Sequence, residues 1–590
     1  MTDFLPATPE EIKKKGWDGV DIVLVTGDAY VDHPSFAMAL IGRVLEAAGC
    51  KTAVLAQPRW TSAEDFRKFG KPRLFFGVTS GNMDSMINKY THNRRIRSND
   101  DYSPGGRPGL RPDRACVIYA QRAREAFPDV PVILGGIEAS MRRFAHYDYW
   151  SDKVRKSALL DSKADLLVYG MGERPLLEIT ALLKAGTPVG AIRNIRGTAY
   201  ILGKNEACAA PPAGAVVLPS YEETAGDRFK FSEATRVIHA ESNPFCARTL
   251  IQFSDTRAVV QNPPAYPLDT EEMDRIYGLP YVKKAHPSYR EPIPALETVK
   301  ESIVIHRGCF GGCAFCSLGL HQGKFIQSRS KGSVLKEAAR LAGDKGFSGF
   351  ISDLGAPSAN MYRMAGRNKA LCEKCRKPSC LHPAVCPELD TDHRPLLELL
   401  REARLLKGVK KIFVASGIRM DLALLCGEYI SEIAAFHTGG QLKVAPEHCR
   451  PGVLAKMRKP SAETFLDFAG AFFRASSKAG KEQYLVPYFI SAHPGSTLED
   501  AAELAVFLKA HCYRPLQIND FLPAPMDIAS SMYYTGLDPF TLEPVYSAKK
   551  EGERRLHRAL LQYFKPENRP LVLQALRKIN RPDLIKKILG

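Results

Sequence analysis

No apolar run in this sequence approaches the ~18 residues needed to cross a bilayer. The first residues, MTDFLPATPEEIKKKGWDG, lack the basic-then-apolar pattern of a secretory signal. A membrane association is therefore not expected, and a cytoplasmic chain is. No internal repeat and no low-complexity segment is visible, so the 590 residues have room for roughly three or four ordinary domains of ~150 residues. Acidic residues are in deficit: 64 Asp and Glu face 82 Lys and Arg, a formal charge of +18. That surplus suits a polyanionic partner such as RNA, although a generally basic surface serves solubility equally well. The 14 cysteines do not show the even stapling of a small secreted disulfide scaffold. Seven fall between Cys309 and Cys386; Cys50, Cys116, Cys208, Cys246, Cys426, Cys449 and Cys512 stand singly and read as small buried apolar residues. Clustered cysteines in a long cytosolic chain point to metal.

Strand and helix patterns alternate along two stretches. Strands are predicted over 21–28, 52–57, 73–79, 130–134 and 166–169, with helices over 34–49, 112–127 and 174–185. Such alternation implies a parallel, doubly wound (Rossmann-like) sheet, and the first domain is read as residues 1–190. Residues 191–295 are rich in proline and read as an irregular connecting segment. From 296 to 540 the alternation resumes, with strands at 302–306, 349–352, 411–415, 441–445, 482–490 and 516–521. Six such units predict a partial (β/α)6 TIM-type barrel whose chemistry sits at the C-terminal ends of its strands. A cysteine-rich insertion interrupts it at 370–390, and a basic helical tail follows at 541–590, with twelve Lys and Arg against five Asp and Glu. The tail reads as a docking or nucleic-acid-contacting element, or as a solvated appendage.

The chemistry concentrates in His306-Arg307-Gly308-Cys309-Phe310-Gly311-Gly312-Cys313-Ala314-Phe315-Cys316, directly after the first barrel strand. A [4Fe-4S] cluster saturated by protein takes four cysteines; Cys309, Cys313 and Cys316 supply three and leave one iron open. That iron can chelate the amino and carboxylate groups of S-adenosylmethionine and deliver an electron that breaks a C–S bond. Gly311 and Gly312 let the backbone curl and aim N–H groups at the cluster. Phe315 offers an aromatic surface to the adenine.

This CxxxCxxC spacing, with an aromatic before the last cysteine, resembles the radical S-adenosylmethionine superfamily. GDAYVDHPSF at 27–36, GGIEASMRRFAHYDYW at 135–150, HRGCFGGCAFC at 306–316 and SMYYTG at 531–536 together resemble its YgiQ-type family over essentially the full length. The resemblance implies a radical enzyme that forms a 5′-deoxyadenosyl radical, with an electron donor such as a flavodoxin or ferredoxin; it does not name the substrate. It also implies further S-adenosylmethionine contacts: Asp353 and Gly355, in a departure from the usual glycine-glycine-acid order, for the amino group; Ser416, Arg419 and Asp421 after the third strand, with Arg419 for the carboxylate; Glu447 for the ribose; and Pro494-Gly495 against the adenine.

Cys372, Cys375, Cys380 and Cys386 form a second set, read as a zinc site, an auxiliary [4Fe-4S] cluster, or free thiols or substrate contacts; Cys386-Pro387 resembles the ending of ferredoxin-type runs, although the spacings differ. The N-terminal domain is similar to the cobalamin-binding fold of some radical S-adenosylmethionine classes, but Asp32 and His33 are adjacent and do not give the Asp-x-His-x-x-Gly spacing. Gly170-Met171-Gly172-Glu173, between a strand and a helix, reads as an anion-receiving turn. RNA modification leads among substrates. A likeness of 443–460 to methylthiotransferases supports it, and the lack of their small C-terminal RNA-binding β-barrel weakens it. The alternatives are a cobalamin-dependent radical methyltransferase and a non-enzymatic, metal-stapled nucleic-acid-binding protein.

Overall fold

The computed structural model describes residues 3–207 and 214–590. Cys208 lies outside them.

Ile22–Thr26 (IVLVT) is buried along its whole length, as a strand covered on both faces must be. It lies between Thr52–Ala56 and Phe75–Thr79, parallel to both, and Val132–Leu134 and Leu166–Val168 follow outward in parallel. In chain order these strands run 2-1-3-4-5, the flavodoxin-like doubly wound arrangement. The sheet does not stop at residue 190. Thr198–Leu202, Arg257–Gln261, Leu250–Ser254 and Val216–Leu218 extend it to nine strands. These strands are short, mostly antiparallel and joined by tight turns such as Asp255-Thr256, where Asp255 has φ 54°. A reading built on strand–helix alternation therefore passes over them, and only the part after Gln261 is a connector. That part wraps onto its neighbours: Lys284–Ala285 pairs with Val31–Asp32.

In the second half, Ser302–Val304, Phe350–Ile351 with Asp353–Gly355, Lys411–Ile412, Gln441–Glu447, Tyr484–Ser491 and Asn519–Asp520 follow one another in chain order, with parallel pairing wherever strands are joined. Val414 N–H to the His437 carbonyl, 3.1 Å, ties the third strand to the turn before the fourth. Among the described residues the sixth strand does not pair with the first, so the barrel is open on that side. The outer helices bury one stripe each. Arg394–Arg404 turns Leu396, Leu397, Leu399, Leu400 and Ala403 inward and keeps Arg and Glu outside.

Helices Glu551–Leu561, Arg569–Lys578 and Asp583–Leu589 are not a solvated tail. Leu560, Leu576 and Ile588 share a core with Leu504 and Leu508 of the barrel helix Leu498–Ala510. Several basic residues here are internal ties: buried Arg554 donates to the Phe521 carbonyl, Arg558 pairs with Asp520, and Arg581 with Glu503. Of the single cysteines described, only Cys50 and Cys116 are buried, and Cys512 is exposed. Among the described residues no helix is long and apolar enough to cross a membrane.

Candidate active site

The first barrel strand runs into His306–Arg307, which pairs antiparallel with Gln327–Ser328. This hairpin closes the loop that carries Cys309, Cys313 and Cys316. Cys309 N–H is held by the Gly323 carbonyl at 3.1 Å, and Cys316 N–H by the Cys313 carbonyl at 3.2 Å. Ala314 is clamped from both sides: its N–H donates to Met457 O, 3.0 Å, and its carbonyl accepts from Ala529 N–H, 2.8 Å. The loop is thus fastened to the fourth and sixth βα units before any cofactor is considered.

The donor set of three thiols suits a cluster, and Gly311 adds no bulk beside it: a Cβ there would already touch Cys309 Sγ at 3.4 Å and Cys313 Sγ at 3.9 Å. Gly312 adopts φ 61° and faces the Pro378 carbonyl, which a Cβ would approach to 2.4 Å. Burial, then the neighbouring Cys313, push the Cys309 thiol up, and burial does the same to Cys316. Bonding to iron holds thiolates and removes that penalty. Among the described residues no three His, Cys, Asp or Glu side chains converge on one point suited to a single ion. A cubane bonds each cysteine at a different iron and needs no such convergence.

The structure brings part of the expected S-adenosylmethionine set around this loop. Arg419 is 7% exposed, and its Nη1–H points at Cys313 Sγ, 3.7 Å away. Its other edge is taken by Asp421, at 3.0 Å and 2.5 Å, so only the Nη1 side of the guanidinium faces the loop. Asp353 is committed within the protein: it accepts from the N–H groups of Ala415 (2.8 Å) and Ser416 (3.1 Å) and from the Ser416 hydroxyl. A Cβ at Gly355 would collide with that pair at 2.0 and 2.1 Å. Asp353, Gly355 and Ser416 thus clip the second strand to the third, and burial raises the carboxyl's pKa. Glu447 ends the fourth strand at a register shift with φ 68°, a conformation a non-glycine residue holds only at a cost. It is buried, Lys459 Nζ is 3.8 Å from Oε1, and Oε2 has no partner; burial raises its pKa.

Phe315 stands edge-on to His493, centroids 5.7 Å apart, and His493 to Phe521 at 5.2 Å. Sequence reading picked out Pro494-Gly495 and missed His493 beside them. Burial lowers its pKa to about 4, so the ring is neutral. Nδ1 lies 2.7 Å from the Pro494 carbonyl and must donate to it, which leaves Nε2 as a buried acceptor without a partner. Asp527 was missed as well. It is buried, accepts from the Ser317 hydroxyl at 3.0 Å, and burial raises its pKa to about 8. No motif marks either residue; strand ends folded together in space create both environments.

Between the barrel and the C-terminal edge of the N-terminal sheet lies a cavity of about 540 Å³. Leu24, Gly77 and Ile133 line it from the sheet, Val304 and Asp353 from the barrel, and Arg307 crosses between them. Arg307 forms a buried ion pair with Glu173 and donates to the Tyr277 hydroxyl at 2.9 Å, yet Arg307 Nη2 and Glu173 Oε2 remain without partners. The turn at 170–173 is therefore not a free anion site, because Glu173 itself occupies the helix start as an anion. His33 is fully buried, accepts the Ser35 N–H at Nδ1 and does not line the cavity. Asp32 is paired with Arg43, and Asp28 with Arg111 at 3.0 Å.

The insertion that carries Cys372, Cys375, Cys380 and Cys386 abuts the triad loop. Ser379 Oγ–H donates to the Gly311 carbonyl at 2.7 Å and Cys380 N–H to the Phe310 carbonyl at 3.0 Å.

The family model described as "Radical SAM N-terminal" matches residues 4–302, and a domain of unknown function, DUF3362, matches 516–587. A UPF0313 protein of Rhodopseudomonas palustris is 51% identical, over 99% of this chain and 90% of its own length. The UPF0313 protein YgiQ of Escherichia coli K12 is 48% identical, over 99% of this chain and 87% of its own. Among solved structures, the radical S-adenosylmethionine methyltransferase TsrM of Kitasatospora setae covers 86% of this chain and 75% of its own, at 16% identity and a TM-score of 0.48.

Proposed function

This chain belongs to the UPF0313 (YgiQ-type) family of radical S-adenosylmethionine proteins and is a radical S-adenosylmethionine enzyme; from that premise we propose that Cys309, Cys313 and Cys316 hold a [4Fe-4S] cluster at which S-adenosylmethionine is cleaved reductively. The observation that carries this is the triad loop itself: thiols around a side-chain-free Gly311 at a barrel mouth, with Arg419 aimed at Cys313. When bound, the cluster supplies one electron that splits a C–S bond of S-adenosylmethionine, giving methionine and a 5′-deoxyadenosyl radical.

The chain's own residues bind and orient. The free edge of Arg419 takes the methionyl carboxylate, and the unpaired Glu447 Oε2 takes a ribose hydroxyl. The neutral His493, beside Phe315, offers Nε2 to the adenine amine. Asp353 and Ser416 act one step back, by fixing the strand ends. A flavodoxin or ferredoxin is the electron donor of this reading.

The substrate lies in or against the interdomain cavity, whose volume is in the range of small-molecule sites, on the order of 300–1,000 Å³. If the substrate is RNA, a single nucleotide must leave its stack to enter. The alternative reading is a corrinoid-dependent methyl transfer, against which His33 does not line this cavity.

Anaerobic reconstitution followed by reduction and assay for 5′-deoxyadenosine tests the proposal. Cys313→Ala is expected to reduce product to background. Undiminished product from that variant would sink the assignment. Corrinoid retained by protein purified from supplemented cells would favour the alternative.

A further inference from the structure

The four cysteines of the 370–390 insertion are not used in the chemistry above, yet the fold builds a site around them. Backbone hydrogen bonds tie them in pairs, Cys375 N–H to the Cys372 carbonyl at 3.2 Å and Cys386 N–H to the Cys380 carbonyl at 2.8 Å, and an antiparallel bridge from Gly366 to Leu389 draws the pairs together. Gly366 makes room for one of the thiols: a Cβ there would lie 2.1 Å from Cys372 Sγ. The loop is held from outside the barrel. Asn243 of the N-terminal domain spends its amide on the carbonyls of Cys372 (3.0 Å), Glu373 (3.1 Å) and Cys375 (2.9 Å). Lys324 Nζ donates to Cys375 O at 2.8 Å and to Lys377 O at 3.1 Å. Glu241 anchors Arg376 at 2.6 Å.

Placement favours an iron–sulfur cluster over a zinc ion. Cys380 and Cys386 pack in one apolar cluster with Cys309, around Phe310, Met361, Met364, Leu381 and Leu389. Ser379 and Cys380 are hydrogen-bonded to the backbone of Gly311 and Phe310, so the two cysteine sites share a wall. A structural staple has no need to abut the triad loop, whereas a second redox centre does.

We propose that Cys372, Cys375, Cys380 and Cys386 ligate a second [4Fe-4S] cluster, saturated by protein and set directly against the triad's site. Its site class follows from four thiolates with no open position, so it binds no S-adenosylmethionine. The proposal rests on the radical-enzyme reading only for its neighbour; the metal content tests it separately.

The full-length protein is reconstituted anaerobically with iron and sulfide in the presence of zinc, desalted, and analysed for metals and acid-labile sulfide. The expected content is about eight irons per chain with negligible zinc. The Cys309→Ala/Cys313→Ala/Cys316→Ala variant is expected to keep about four irons and a reduced-state electron paramagnetic resonance signal that S-adenosylmethionine does not alter. About four irons with one zinc, or about four irons alone, in the wild-type chain overturns the proposal without need of any variant. Failure of the radical reading looks different: S-adenosylmethionine then changes no signal in the wild-type protein, while the iron count stays at about eight.

Discussion

Glu447 combines a positive φ, burial and an oxygen without a partner, and each of these costs stability. Such a combination is retained where a ligand completes it. Replacing Glu447 with Gln keeps the shape and removes the charge and one acceptor. S-adenosylmethionine affinity of the reconstituted protein is expected to fall on the order of tenfold, ~1.4 kcal/mol, with iron content unchanged. Equilibrium binding and an iron assay on the same sample check this. Equal affinity, or loss of iron, would move Glu447 from ligand contact to scaffold. Arg419, by contrast, was chosen in the sequence for its charge and position, and the structure adds that Asp421 fixes its orientation.

The helix Glu173–Lys184 and the strand His306–Arg307 come from different domains and meet through one buried ion pair, Glu173 with Arg307. Truncating one partner leaves the other charged, buried and alone, which costs about 3–5 kcal/mol. Arg307→Ala is therefore expected to lower the unfolding midpoint in urea markedly. Glu173→Gln combined with Arg307→Met is expected to cost less than the sum of its single changes, because no lone charge is left. Additive effects would mean that the pair does not couple the domains. The parallel elements on either side were legible from alternation, since a strand covered on both faces reads as a continuous apolar run, as Ile22–Thr26 does. The short, mostly antiparallel strands over 198–261 are not legible. They are short, end at tight turns and sit among prolines, so no periodicity longer than a few residues marks them.

The C-terminal helices complete the molecule rather than trail from it. Deleting residues 541–590 would uncover Leu504 and Leu508, which pack against Leu560, Leu576 and Ile588. The shortened chain is expected to be recovered largely as aggregate, by size-exclusion chromatography, under conditions where the full chain is not. A soluble shortened protein that still forms 5′-deoxyadenosine would return these helices to the status of an appendage. Their basic composition reads equally as a docking or nucleic-acid-contacting element and as a solvated appendage, and composition does not reveal that Arg554, Arg558 and Arg581 are engaged by the barrel.

What the sequence by itself determined was local: the CxxxCxxC loop after a strand, the second run of cysteines, and two stretches of strand–helix alternation. These are written in spacings of a few residues, and backbone periodicity reads such spacings directly. The convergence of distant segments was decided only by the tertiary structure. It set His493 beside Phe315, closed Asp353 onto Ser416, left His33 out of the interdomain cavity's lining and laid Cys380 against Phe310. Contacts between residues tens or hundreds of positions apart leave no local pattern, because what selects them is the burial and hydrogen bonding of the assembled fold.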